Sequence, residues 1–205
     1  DGVSPEIRFF LWRGAFSVAE KEKLLNPDIR RELGRDNCYD DIDRYVEESG
    51  LTHSLERLLY LSMKLYLQDN NLVTVDRASM ANGLEVRCPL LDQEVVEFVC
   101  RLPTKYKLKG FQAKYLLKKA AAGMLPKNII HRQKKGFGIP LAKWLGRDLK
   151  EFMLDTLSEE RIRRQGIFHY PYIKLLLDEQ LAKTNDHRES LWTLLVFQRW
   201  YEEYI

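Results

Sequence analysis

LVTVDRASMANGLEVRCPLLD, residues 72–92, carries the reading of the whole chain. Leu72, Val73, Val75, Met80, Leu84, Val86, Leu90 and Leu91 give it the composition of a core segment. Asp76, Arg77, Glu85 and Arg87 interrupt that composition, and charges among residues that read as buried need partners or a function. Two physical readings stay open: a local ion-pair cluster, or a binding site. The segment also has internal punctuation. Residues 71–82 follow a helical pattern that Gly83 can stop. Cys88 precedes Pro89 and is pushed towards extended geometry, so Leu84 to Arg87 are expected to run extended. In that geometry Glu85 and Arg87 share one side, opposite Leu84 and Val86. A shared side suits a structural ion pair, and equally a carboxylate whose acidity an arginine sets.

Outward from this stretch the helical period dominates, and no set of alternating strands appears. Ser17 followed by Glu20 is a capping-box pattern opening a short helix that Asn26-Pro27 stops. Residues 34–50 read as an exposed linker or an amphipathic segment. Residues 51–67, LTHSLERLLYLSMKLYL, are apolar on most of the circumference and suggest a largely buried helix. Asp92 can cap a helix bearing Val95, Val96, Val99 and Cys100 that closes before Pro103. A lysine-rich turn leads to AKYLLKKAAAGML, a helix former ending near Gly123 and Pro126. HRQKKGFGIP, residues 131–140, is expected to be irregular. Helices are expected at about 141–146, 148–157, 158–165, 171–183 and 188–203, the last packing centrally. The fold class that follows is mostly α.

Composition narrows the function. The 205 residues with 45% hydrophobic content suffice for a real core. A net charge of +3, from 33 basic and 30 acidic residues, makes no strong electrostatic case for nucleic-acid binding. Cys38, Cys88 and Cys100 lack metal or disulfide spacing, which favours reduced thiols in a cytoplasmic protein. The four histidines show no metal-binding spacing, so no metal site is expected. No apolar run is long enough to span a bilayer, and no membrane partner is expected. Lys114, four residues after Gly110 at a helix start, opposes the helix dipole and invites an anion; a solvated surface lysine is the other reading. His131, Arg132, Lys134 and Lys135 with Gly136 and Gly138 have the ingredients of a phosphate-clamping loop, or of an ordinary basic surface loop.

Four elements then occur in order: residues 72–92, KGFQAKYLLKKA, LPKNIIHRQKKGFGIPLAKWL and ESLWTLLVFQRWY. The ordered set resembles the C-terminal part of the synthetase domain of glutamine-dependent asparagine synthetases. There a D-R-x-S-M-A-x-x-x-E-x-R-x-P-x-L-D block is followed by G-x-x-K, R-x-K-x-G-F and a tryptophan-containing last helix. The resemblance covers residues 72 to about 200. It implies that residues 1–205 form one helical region, the C-terminal half of an α/β adenine-nucleotide-hydrolase-like (PP-loop ATPase) synthetase domain. It implies an ATP-dependent amidotransferase that converts aspartate to asparagine through β-aspartyl-AMP, with glutamine-derived ammonia and Mg-ATP. Glu85 and Lys134 then match catalytic positions, and Lys114, Arg132 and Lys135 match phosphate contacts. Asp76 and Arg87 would support them.

The S-G-G-x-D-S pyrophosphate loop and the glutaminase domain are missing from this sequence, so the isolated chain is expected to be inactive and to need both as partners. A homo-oligomer is compatible with the sequence. Relatives of this family act as amidotransferases or cyclases on other carboxylates, and a non-catalytic helical interaction module is a further alternative.

Overall fold

The computed structural model describes residues 4–11, 14–34, 39–133, 136 and 138–205. It is predominantly helical, and its contacts divide it into two compact units. One consists of Asp1–Val3, Ile7–Cys38 and Phe137–Ile205; the other consists of Ser4–Glu6 and Tyr39–Gly136. In chain order the first helices are α1 (Pro5–Leu11), α2 (Val18–Leu24), α3 (Pro27–Leu33), α4 (Asp40–Ser49) and α5 (Ser54–Leu61). A π-helical run, Ser62–Leu72, continues α5 directly into α6 (Val73–Met80). Then come α7 (Gln93–Arg101), α8 (Thr104–Lys107), a two-stranded hairpin β1 (Leu108–Lys109) and β2 (Gln112–Ala113), α9 (Tyr115–Ala120) and α10 (Lys127–Ile130). The chain closes with α11 (Leu141–Gly146), α12 (Lys150–Thr156), α13 (Glu159–Gln165), α14 (Tyr170–Ala182) and α15 (Arg188–Tyr204).

The first unit is held by an ordinary apolar core. Leu141, Leu145, Met153, Leu157, Ile162, Ile173, Leu176, Leu177, Leu191, Leu194 and Leu195 are all buried, with Leu24 and Phe168 completing the cluster. These residues recur at helical spacing on α11 to α15, so each helix turns one apolar stripe inward. α15 packs against α11, α12 and α14, as its composition predicts. The capping box on α2 is fully formed: the Ser17 N–H donates to a Glu20 carboxylate oxygen at 2.7 Å, and the Glu20 N–H donates to Ser17 Oγ at 3.3 Å. Asn26-Pro27 does stop α2, but Pro27 also opens α3, the first-turn position where its missing N–H costs nothing. A backbone bridge between Leu25 and Phe168 ties the end of α2 to the α13–α14 link, with the His169 N–H donating to the Leu24 carbonyl at 2.7 Å.

The second unit departs from the sequence expectation. Of the two readings of residues 34–50, the amphipathic one holds for Asp40–Ser49, where α4 buries Ile42 and ends at Gly50 in the left-handed conformation. Residues 51–67 form helix, but only Leu61 is buried and most of the rest is half-buried. Ile42 and Leu61 are the buried hydrophobics of this unit among the described residues. Its one buried charge among the described residues, Glu6, stands 3.9 Å from Arg57 Nη1, and Arg57 Nε donates to the Leu51 carbonyl at 2.6 Å. The lysine-rich turn contains a helical turn and the hairpin, short elements that carry too few residues to show a period. The helix expected over residues 113–125 stops at Ala120, because the chain turns through Ala122 and Gly123, the latter at φ 91°.

Candidate functional site

The sequence-predicted positions for which side chains are described lie in the second unit. Gly83 adopts φ 64° and takes the chain out of α6, and its N–H donates to the Met80 carbonyl at 2.9 Å. Residues 84–88 then run outside any helix or strand, and Cys88, before Pro89, is extended at φ −108°, ψ 92°. Glu85 and Arg87 share one side and form an ion pair, with Arg87 Nε donating to Glu85 Oε1 at 2.5 Å. Both side chains are exposed, Glu85 at 68% and Arg87 at 87%. The ion-pair reading therefore holds locally, and the carboxylate remains reachable from solvent.

The apolar neighbours overturn one expectation. Val75, Met80, Leu84, Val86, Leu90 and Leu91, read as core from composition, are all exposed, Leu90 at 66%. Val95, Phe98 and Val99 on α7 are exposed as well. No element among the described residues covers them. Large exposed apolar patches mark interaction faces.

Asp76 sits exposed on α6 and makes no ion pair among the described residues; its carbonyl accepts the Ser79 hydroxyl at 3.0 Å. Lys114 is the residue before α9 and adopts φ 57°, ψ 38°, a left-handed conformation that non-glycine residues rarely hold. The hairpin in front of it turns at Gly110, φ 57°, and presents Phe111 fully to solvent. Next to Lys114, the ammoniums of Lys109 and Lys119 lie 5.0 and 5.6 Å from the Tyr115 ring centre. Hydrogen bonds from Lys119 and then Lys109 hold the Tyr115 hydroxyl below the ordinary tyrosine range. Neither Phe111 nor this tyrosine between two lysines was predicted. The clustering of lysines around KYKLKGFQAKYLLKK was the signal that could have found the second.

Arg132 follows α10 in irregular backbone, as expected for residues 131–140, and is exposed. Lys134 and Lys135 lie outside the described residues. No hydrogen bond or ion pair joins Glu85 to Lys114 or Arg132 among the described residues. The chain thus presents a carboxylate–arginine pair, a basic hairpin–helix element and a basic loop start, without bringing them into contact. No group of three metal-ligating side chains occurs among the described residues, and no described helix is long and apolar enough to cross a membrane.

Comparison with known proteins places this arrangement. The asparagine synthase family profile matches residues 6–202. The chain belongs to the asparagine synthase family. Asparagine synthetase [glutamine-hydrolyzing] 1 of Bacillus subtilis is 30% identical over 190 residues, 91% of this chain and 28% of that protein. A putative asparagine synthetase [glutamine-hydrolyzing] of Mycobacterium tuberculosis is 31% identical over 201 residues, 98% of this chain and 30% of its own length. The amidase chyE of Penicillium rubens is 29% identical over 138 residues, 64% of this chain and 20% of its length. The chain therefore spans less than a third of the curated relatives it matches. No solved structure matches it.

Proposed function

We propose that this chain supplies the helical part of an ATP-dependent synthetase site that converts aspartate to asparagine. The observation that carries the reading is the exposed Glu85–Arg87 pair, set on an extended segment just after the left-handed turn at Gly83 and ringed by uncovered apolar residues. A reachable carboxylate beside an uncovered apolar surface is what half of a closed active site presents. The other half would be an α/β nucleotide-binding sheet of the PP-loop type, covering Leu84, Val86 and Leu90.

In the proposed reaction an aspartate side-chain oxygen attacks the α-phosphorus of ATP, forming the acyl–phosphate bond and expelling pyrophosphate. Ammonia, derived from glutamine by a glutaminase domain, then attacks the acyl carbon. The bond to AMP breaks, and the adduct loses a proton to Glu85. Lys134 steadies charge developing on phosphoryl oxygens, with Lys114, Arg132 and Lys135 contacting phosphate. Lys114 suits this role, because its strained left-handed backbone is a feature that clusters at ligand-holding positions. Arg87 holds Glu85 in place; Asp76 supports the helix before it. Magnesium would be held mainly by the nucleotide-binding half, since the described residues offer no converging ligand set. The enzyme would work in the cytoplasm.

ATP–pyrophosphate exchange on this chain and on a longer protein that contains it is the deciding test. Exchange that needs aspartate and appears only in the longer protein is expected; exchange driven instead by a different carboxylate would move the substrate assignment. Amidation of another acid on the same site is that second reading. Within the longer protein, Glu85→Gln should abolish ammonia-dependent synthesis and leave glutamine hydrolysis intact. Undiminished synthesis would remove Glu85 from the chemistry.

A further inference from the structure

A second basic feature lies in the first unit and uses no residue assigned a role above. The α11–α12 turn and the α14–α15 turn enclose a concavity of about 650 Å³, within the range of small-molecule sites. Four cations line it: Lys143 on α11, Arg147 in the following turn, Lys150 at the start of α12, and Lys183 at the end of α14. Asp186 is the one carboxylate in the lining, and it is already engaged by Arg188 at 2.7 Å. None of the four cations has a carboxylate partner among the described residues. Elsewhere in the same unit, Arg161, Arg163 and Arg199 each hold a carboxylate at 2.9 Å or less. Uncompensated positive charge gathered from separate elements is unfavourable by itself and is relieved by a bound anion.

Two further observations support a ligand. Residues 98–147 contain thirteen lysines and arginines and no aspartate or glutamate, although the whole chain is nearly balanced. Lys143 and Arg147 close that acid-free stretch. Lys183 adopts φ 59°, ψ 28°, the other non-glycine position with positive φ among the described residues besides Lys114. Glycine would take this conformation readily, yet a cation stands there. The α14–α15 turn is also pinned. The His187 N–H donates to Gln180 Oε1 at 2.6 Å, Asn185 Nδ2 donates to Glu179 at 3.0 Å, and the His187 ring pairs with the same carboxylate. A pinned turn loses little freedom when a ligand binds.

We infer that this cavity is a binding site for a small diphosphate-bearing anion, held by Lys143, Arg147, Lys150 and Lys183. Four cations suit the multiple charges of a diphosphate better than a single carboxylate, and the volume admits a nucleoside diphosphate as well as pyrophosphate. The inference does not depend on the proposed reaction, whose residues lie on the other unit.

The test is calorimetric titration of the chain with inorganic pyrophosphate and separately with ADP, at one ionic strength set with sodium chloride. Saturable binding is expected, weakened at least tenfold in Lys143→Met/Arg147→Met. It should weaken several-fold in Lys183→Gly, a variant that removes the cation while easing the backbone. Lys127→Ala, on α10 of the other unit, should leave this binding unchanged, and the Gly146 backbone amide signal should move on titration. Similar affinities for both probes assign the site to the diphosphate; tighter ADP binding assigns it to a nucleotide. Undiminished binding in the cavity variants, or no saturable binding of either probe, would overturn the inference.

Discussion

Leu194 and Leu90 are the same residue in the two compact units, and their surroundings differ completely. Leu194 is buried on α15 among Leu141, Met153 and Ile173, whereas Leu90 lies two-thirds exposed beside Leu84 and Val86. Both segments are equally apolar in sequence. The first unit closes its apolar stripes on one another, because five helices within residues 141–204 face a common centre. Among its described residues the second unit buries only Ile42 and Leu61 of its hydrophobics, and leaves Leu84, Val86, Leu90 and Leu91 uncovered. Hydrophobicity in a sequence states that a segment will be covered; it does not state which chain segment provides the cover.

Truncation separates the two units most sharply. Leu194→Ala should destabilise the first unit by about 3 kcal/mol, the scale of a buried leucine replaced by a cavity, as read from urea unfolding followed at the helices. Leu90→Ala should change stability of this chain by less than about 0.5 kcal/mol, the range of surface substitutions. In a longer protein that covers this face, the same Leu90→Ala should cost about 2 kcal/mol or more. An unchanged cost there would show that the face is not buried by the rest of the protein, and the contrast between the units would lose its proposed origin.

Smaller effects sharpen the same contrast from the polar side. Ser17→Ala should cost about 1 kcal/mol through loss of the capping box on α2. The hydroxyl and N–H of Ser17 hold Glu20 below the ordinary glutamate range, and His187 then Asn185 do the same for Glu179. A carboxylate with a depressed folded pKa contributes stability that is present above its unfolded pKa. That contribution is lost as pH falls through the folded value. The first unit should therefore weaken on acidification below the ordinary glutamate range, and Glu20→Gln should flatten that part of the stability–pH curve measured by thermal unfolding. Phe111→Ser, at the fully exposed hairpin tip, should leave the melting temperature unchanged; a lowered value would mean that Phe111 packs on something in solution.

Much of this was legible in residue order. Ser17 and Glu20 announce their capping box by spacing, because the hydrogen bonds join neighbours on one turn. Gly83 marks the end of α6, and Pro89 keeps the preceding residues extended, so Glu85 and Arg87 fall on one side as alternation requires. The helices from 141 onward follow from apolar periodicity, since each buries one stripe. The π-helical run Ser62–Leu72 left no mark, because a shift from i+4 to i+5 bonding changes the face of each residue without changing composition. α8, α10 and the hairpin were too short to show a period.

Sequence alone determined the helical class, the punctuation at Ser17, Gly83 and Pro89, and the four ordered motifs of the asparagine synthase family. These are local in the chain, and so are the forces that set them. Tertiary structure alone decided that residues 84–91 stand open, that Lys114 and Lys183 adopt left-handed backbone, and that Lys143, Arg147, Lys150 and Lys183 line one cavity. Burial and charge convergence depend on which distant elements meet, and residue order does not encode that meeting in any short window.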